Sequence, residues 1–210
     1  MEKRYKKKTY LIIILFVAIA FFAGILLGKY IETKEQGDIN RFMKHLELNT
    51  ESFLVEQELI GITQDCSLAE ERITSLSNEL YNLGIMLGKD DAKKNLGKDT
   101  YILLKKKFHL MQIRTYLLYH SLEENCETDE QVILFYYGRN NPKSKEQGKI
   151  LDEVVKKYSV NVFAIEYNYT SELTFLENYY GIEEPPAVVI NFDKINNDLT
   201  SYSNIVNLIS

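Results

Sequence analysis

The chain has 210 residues, 45% apolar and 12% aromatic, enough for a real core in one domain or a domain with an appendage. Its formal net charge of −5 is uneven: Lys3, Arg4, Lys6, Lys7 and Lys8 oppose Glu2 in the first ten residues, leaving −9 on the rest. An acidic body argues against a nucleic-acid partner, because phosphate backbones reward clustered Lys and Arg.

After the basic segment 1–9, Tyr10–Gly28 contains no charged residue. Nineteen helical residues span roughly 28 Å, close to the hydrocarbon thickness of a bilayer. The basic cluster before this span outweighs Lys29, Lys34 and Arg41 after it, so the expectation is a single-pass anchor with a cytoplasmic amino end. The lipid bilayer is then the first expected partner, and everything beyond Lys29 lies outside the cell membrane. A cleaved signal peptide is the rival reading. Ala18-Ile19-Ala20 has the small-x-small form, but the apolar stretch Phe21–Leu27 continues past it.

Residues 29–127 read as an extracytoplasmic helical segment. Ile39, Phe42, Met43 and Leu46 repeat at helical spacing, with Phe53, Leu54 and Ile60 continuing less regularly. Ala69, Ile73, Leu76, Leu80, Leu83 and Leu87 alternate steps of four and three, a heptad-like seam that Gly88 is placed to end. After a loop around Asn95–Asp99, a further helix runs from about Thr100 to Glu123. Tyr101, Leu104, Phe108, Met111, Leu118 and Leu122 mark one face of it, and Leu103, Leu110, Ile113 and Leu117 another. A helix apolar on two sides is buried on two sides. It is expected between the preceding helix and the elements that follow. Lys105-Lys106-Lys107 within it reads as a solvent-facing run, and the acidic Glu123–Glu130 as a linker.

Cys66 opens one of these helices and Cys126 follows the end of the next. Both helices span about 22 residues, roughly 33 Å, so an antiparallel hairpin brings the two sulfurs level. A disulfide is expected, and an exterior compartment permits it.

Residues 128–210 change character. Val132-Ile133-Leu134-Phe135-Tyr136-Tyr137 is a short β-branched and aromatic run, suited to a buried strand. Gly138–Pro142 turns the chain, with Asn141 placed to cap a helix and Pro142 at its first position. Ile150, Leu151, Val154, Val155 and Tyr158 then share one helical face. Val160–Tyr167 reads as a second strand, apolar on both faces and so central and parallel. Thr170-Ser171 opens a helix that Gly181 closes. Ala187–Phe192 is a third strand, Asp193–Asp198 a turn, and Ser203–Ile209 a last helix, with any fourth strand near Ile195 or Leu199.

This order, with Leu151-Asp152-Glu153-Val154 and Tyr158, resembles the thioredoxin-like superfamily. So does Tyr180-Gly181-Ile182-Glu183-Glu184-Pro185-Pro186-Ala187-Val188-Val189-Ile190. The resemblance covers roughly the last 80 residues. It places the family's W-C-G-P-C-K loop on Asn140-Asn141-Pro142-Lys143-Ser144-Lys145, so that Asn141 and Ser144 fill both cysteine positions. It makes Pro186 the cis-proline that faces the loop. It also implies that the residue before the cis-proline pairs with an extended peptide; here that is Pro185, which has no N–H to donate.

Disulfide exchange at the loop Asn141, Pro142, Lys143, Ser144 therefore lacks its atoms: an attacking thiolate and a resolving thiol. No catalytic residue, cofactor or metal is expected. His109 and His120 lie about 16 Å apart along a helix, too far for one ion, and His45 stands alone. Asn168-Tyr169-Thr170 fits a glycosylation acceptor.

The expected fold class is α/β: an N-terminal transmembrane helix, a helical hairpin and a C-terminal thioredoxin-like domain. The expected function is a membrane-anchored, redox-inactive binding or scaffold protein that engages another membrane or envelope protein. The alternative is a thiol–disulfide oxidoreductase using Cys66 and Cys126 as a non-standard pair.

Overall fold

In the computed structural model, the described residues are 16–26, 41, 43–44, 47–48, 51–63, 65–126 and 128–209. The chain divides into two compact units, Met1–Ile62 and Thr63–Ser210.

In the first unit the described residues are helical over 16–26 and 51–62, with Phe53 buried on the latter stretch. The basic segment 1–9 and the apolar positions Ile39, Phe42 and Leu46 lie outside the described residues.

The expected fold class is corrected here. Among the described residues no helix is long and apolar enough to cross a membrane. Residues 16–26 amount to about 16 Å of helix, roughly half a hydrocarbon core, and the ends of Tyr10–Gly28 lie outside the described residues. The transmembrane helix is therefore not supported. Nor does the expected α/β class, with its helical hairpin and C-terminal thioredoxin-like domain, describe the chain. Helix dominates the described residues, and the strands form one small four-stranded sheet near the carboxyl end. The helical periodicity before residue 126 covers far more chain than the strands after it.

The second unit opens with α1 (Cys66–Leu87), whose N-cap Asp65 accepts hydrogen bonds from the Ser67 and Leu68 amides. Gly88 ends it in a right-handed rather than left-handed conformation. A one-turn α2 (Ala92–Asn95) and Gly97, at a φ of 75° that favours glycine, lead into the long α3 (Lys98–Asn125). Ala69, Ile73, Leu76 and Leu83 are the buried seam of α1, which packs along α3. Cys66 and Cys126 are joined in a disulfide with Cα atoms 6.1 Å apart, closing the hairpin at its open end.

The remaining elements are β1 (Gln131–Tyr137), α4 (Pro142–Val155), β2 (Val160–Glu166), a 3-10 turn (Ser171–Leu173) running into α5 (Thr174–Tyr180), β3 (Ala187–Ile190), β4 (Lys194–Asn196) and α6 (Tyr202–Ile209). The strand order is β2-β1-β3-β4, with β1 and β2 parallel and the other two pairings antiparallel. The fourth strand is thus the three-residue stretch around Ile195. Gly181 ends α5 in the left-handed conformation, at φ 62°.

The side-chain alternation of β1 divides the core. Val132, Leu134 and Tyr136 face a layer with Ile113 and Tyr116 of α3 and Leu176 and Tyr180 of α5. Ile133 and Phe135 face the other way, onto Leu151 and Val154 of α4 and Ile205 and Ile209 of α6. Both faces are covered, which is why β1 reads as an unbroken apolar run.

One expectation about the sheet fails. β2 is an edge strand, not a central one. It looks central in sequence because α3 lies against it, and Gln112 of α3 stands where another strand would be. Gln112 Nε2 donates to the Ala164 carbonyl at 2.9 Å, and the Ala164 amide donates to Gln112 Oε1 at 2.8 Å. A primary amide presents the same donor–acceptor pair as a peptide group, so it satisfies an edge as a neighbouring strand does. Gln147 of α4 repeats the device on the backbone of Thr200, with contacts of 3.3 and 2.7 Å.

The two-sided burial expected for α3 holds in part. Leu104, Met111, Leu118, Leu122 and Ile113 are buried, whereas Leu103 and Leu117 are exposed. The second buried stripe is instead His109, Gln112, Thr115 and Tyr116. Polar residues made it invisible to an apolar pattern.

Candidate functional site

The loop between β1 and α4 sits at the carboxyl end of β1. Asn141 caps α4: its side-chain oxygen accepts from the Ser144 amide at 3.0 Å, with Pro142 in the first turn. Ser144 is buried, and its Oγ accepts from the Gly138 amide at 3.0 Å. The Asn141 amide donates to the Gly138 carbonyl at 3.1 Å, which closes the turn. Lys143 points outward to an ion pair with Asp198, 2.8 Å away, between β4 and α6.

Across from this loop the Pro185–Pro186 peptide is cis, and Pro186 is buried. The structure therefore brings Asn141 and Ser144 together with the Pro185–Pro186 turn. Asn141 Nδ2 donates to the Pro185 carbonyl at 2.9 Å. Gly138 presses on the same residue: a Cβ added there would fall 2.9 Å from Pro185 Cγ and 3.0 Å from Asn141 Cβ. Pro185 has no N–H, and its carbonyl is bonded to Asn141. Its backbone thus has one accepting lone pair left and nothing to donate.

Cys66 and Cys126 belong to the other end of the unit. Cys126 precedes β1 and the loop follows it, a separation of roughly 20 Å along a seven-residue strand. Among the described residues no cysteine is free and no cluster of potential metal ligands forms.

No family model matches this chain, and no curated protein matches it. A solved structure titled "Structure of a malarial protein" aligns over 38% of this chain and 93% of its own length, at 13% identity and a TM-score of 0.33. A superposition that loose carries no argument.

Beside the loop lies a feature that no sequence motif marked, a pocket of about 490 Å³. Its wall is built from Lys93 of α2, Lys98, Tyr101 and Lys105 of α3, Arg139 after β1 and Tyr169 after β2. The carboxyl ends of two parallel strands thus meet the amino end of a long helix. Lys105 is not the solvent-facing lysine expected from its run of three. It is largely buried and paired with Glu166, whose carboxylate also takes Arg139 at 3.1 Å. The Lys105 ammonium lies 5.1 Å from the Tyr169 ring centre. Lys106, next along, pairs with Glu172 at 3.1 Å.

Behind this wall is His109, only 1% exposed, its ring edge-on to Tyr169 at 5.2 Å. Neither ring nitrogen has a hydrogen-bond partner; the Ala164 carbonyl faces the ring outside bonding geometry. Burial, reinforced by the Lys105 charge, pushes its pKa down to about 4 despite the opposing Glu166. The imidazole is therefore neutral near pH 7. The signal available in sequence was a histidine one helical turn after Lys105, but the Glu166 that Lys105 pairs with is 61 residues distant.

Proposed function

We propose that this chain is a redox-inactive binding module related to thioredoxin-like proteins, acting in an oxidising compartment and engaging a protein partner through its helical surface. One observation carries the reading: the Asn141–Pro185 bond. It links the two loops that would otherwise hold an extended peptide, and uses a polar group at the position where the family has a thiol. The sequence of β1, α4, β2, α5, β3 and the cis Pro185–Pro186 peptide supports the kinship. The disulfide supports the compartment. The exposed face of α1, with Glu70, Glu71, Tyr81 and Ile85, supplies a mixed apolar and acidic surface outside the sheet.

Two variants test where the partner sits, once mild crosslinking in native extract has identified it. Pro185→Thr restores a backbone donor beside Pro186. Charge reversal of Glu70 and Glu71 to Lys disturbs α1 without touching the sheet. The expected result is loss of binding on charge reversal and little change with Pro185→Thr. The opposite pattern sinks the helical-surface reading. Turnover of a disulfide substrate by the purified protein would sink the redox-inactive one.

A further inference from the structure

We propose that the pocket between α3 and the carboxyl ends of β1 and β2 is a binding site for a small phosphate-bearing anion. The argument begins with charge. Lys93, Lys98, Lys105 and Arg139 line one cavity, and Glu166 is the carboxylate that pairs into it. Glu166 holds Lys105 and Arg139 in place, one from α3 and one from the β1 loop, so their positions are set before any ligand arrives. Lys93 and Lys98 are exposed and make no ion pair among the described residues. A protein whose formal charge is −5 has thus concentrated four cations on one concavity.

Backbone geometry points the same way. Gly97, the N-cap of α3, contributes no side-chain oxygen, so the first amides of a 28-residue helix lack a side-chain cap where Lys98 and Tyr101 border the pocket. Unsatisfied N–H groups and the positive end of the helix dipole favour phosphate oxygens. Arg139 adds a planar fork suited to two of them. The volume falls in the range that encloses small molecules rather than a peptide segment. Tyr101 and Tyr169 give the wall an aromatic part against which a non-ionic portion of such a ligand can rest. The carboxyl end of a parallel strand pair is where open sheets with helices on both faces place ligands.

The test is calorimetric titration of the full chain with pyrophosphate, alongside a glutamate-rich peptide of equal charge. One saturating pyrophosphate site per chain is expected, weakening as salt rises. Lys93→Ala combined with Lys98→Ala should weaken it by about tenfold or more. Both side chains are exposed, so circular dichroism of that variant should match the parent. Lys145→Ala with Lys149→Ala, two exposed lysines of α4 outside the pocket, should leave affinity unchanged. No saturable pyrophosphate binding, or equal loss in the control pair, overturns the site. Binding of the peptide without binding of pyrophosphate overturns the ligand class.

Discussion

Asn141 of the β1–α4 loop donates its side-chain amide to the carbonyl of Pro185, 44 residues later, at 2.9 Å. The same side chain caps α4 through its oxygen. One asparagine therefore holds a helix start and a loop-to-loop contact together, and substitutions can separate the two.

Asn141→Ser retains a good N-cap oxygen but loses the reach to Pro185. It should cost about 1 kcal/mol, the worth of one neutral hydrogen bond. Asn141→Ala loses both and should cost roughly 2 kcal/mol. Urea denaturation of the three proteins checks the order. Equal stability of Ser and Ala variants would show that the cap contributes nothing.

Removing the disulfide should weaken folding without altering the loop. Cys66 and Cys126 are 60 residues apart, and closing a loop of that length contributes roughly 4 kcal/mol in the chain-entropy model. Cys66→Ser should lower the denaturant midpoint accordingly. Pyrophosphate affinity, measured below the transition, should not change, because the pocket sits past the far end of β1.

Gln112→Met keeps the volume of the side chain and discards its amide. The Ala164 N–H and C=O then lose their partners at the sheet edge. A loss of roughly 2–4 kcal/mol is expected for two unsatisfied groups. Hydrogen exchange offers a local readout, since the Ala164 amide should exchange far faster than the amides of β1.

His109 should make stability depend on pH. Its folded pKa of about 4 lies below its ordinary 6.5. Above pH 6.5 both states hold the ring neutral and the group adds no slope. Between 6.5 and 4 the unfolded chain takes up a proton that the folded chain refuses, so stability falls as pH falls, and levels off below 4. The span corresponds to roughly 3 kcal/mol. Lys105, Glu166, Tyr137 and Tyr169 surround the ring. His109→Phe should flatten that part of the stability–pH curve relative to the parent. A variant with the same slope would place the titration elsewhere.

Local chemistry was legible wherever a segment carries its own instructions. The α1 seam, the Asn141-Pro142 helix start and the αL glycine at Gly181 need no distant residue to be recognised, because periodicity, capping and glycine geometry act within a few positions. The Cys66–Cys126 pairing was nearly as local, since two successive helices folded back as a hairpin bring the start of one to the end of the other. The expected equal lengths did not hold: α3 has 28 residues against 22 in α1, and the short α2 lies between the two. What sequence could not show is which partner a residue meets. Lys105 reads as solvated until Glu166 arrives on β2, and Gln112 and His109 interrupt an apolar pattern although both are buried. β2 looks central because a pattern of burial records how much surface is covered, not whether a strand or a glutamine amide covers it. The pocket has no local signature either: its cations come from α2, α3 and the β1 loop. Only the packing of α3 across the strand ends brings them together, because the charge that gathers there is a property of spatial neighbours and not of any one stretch of chain.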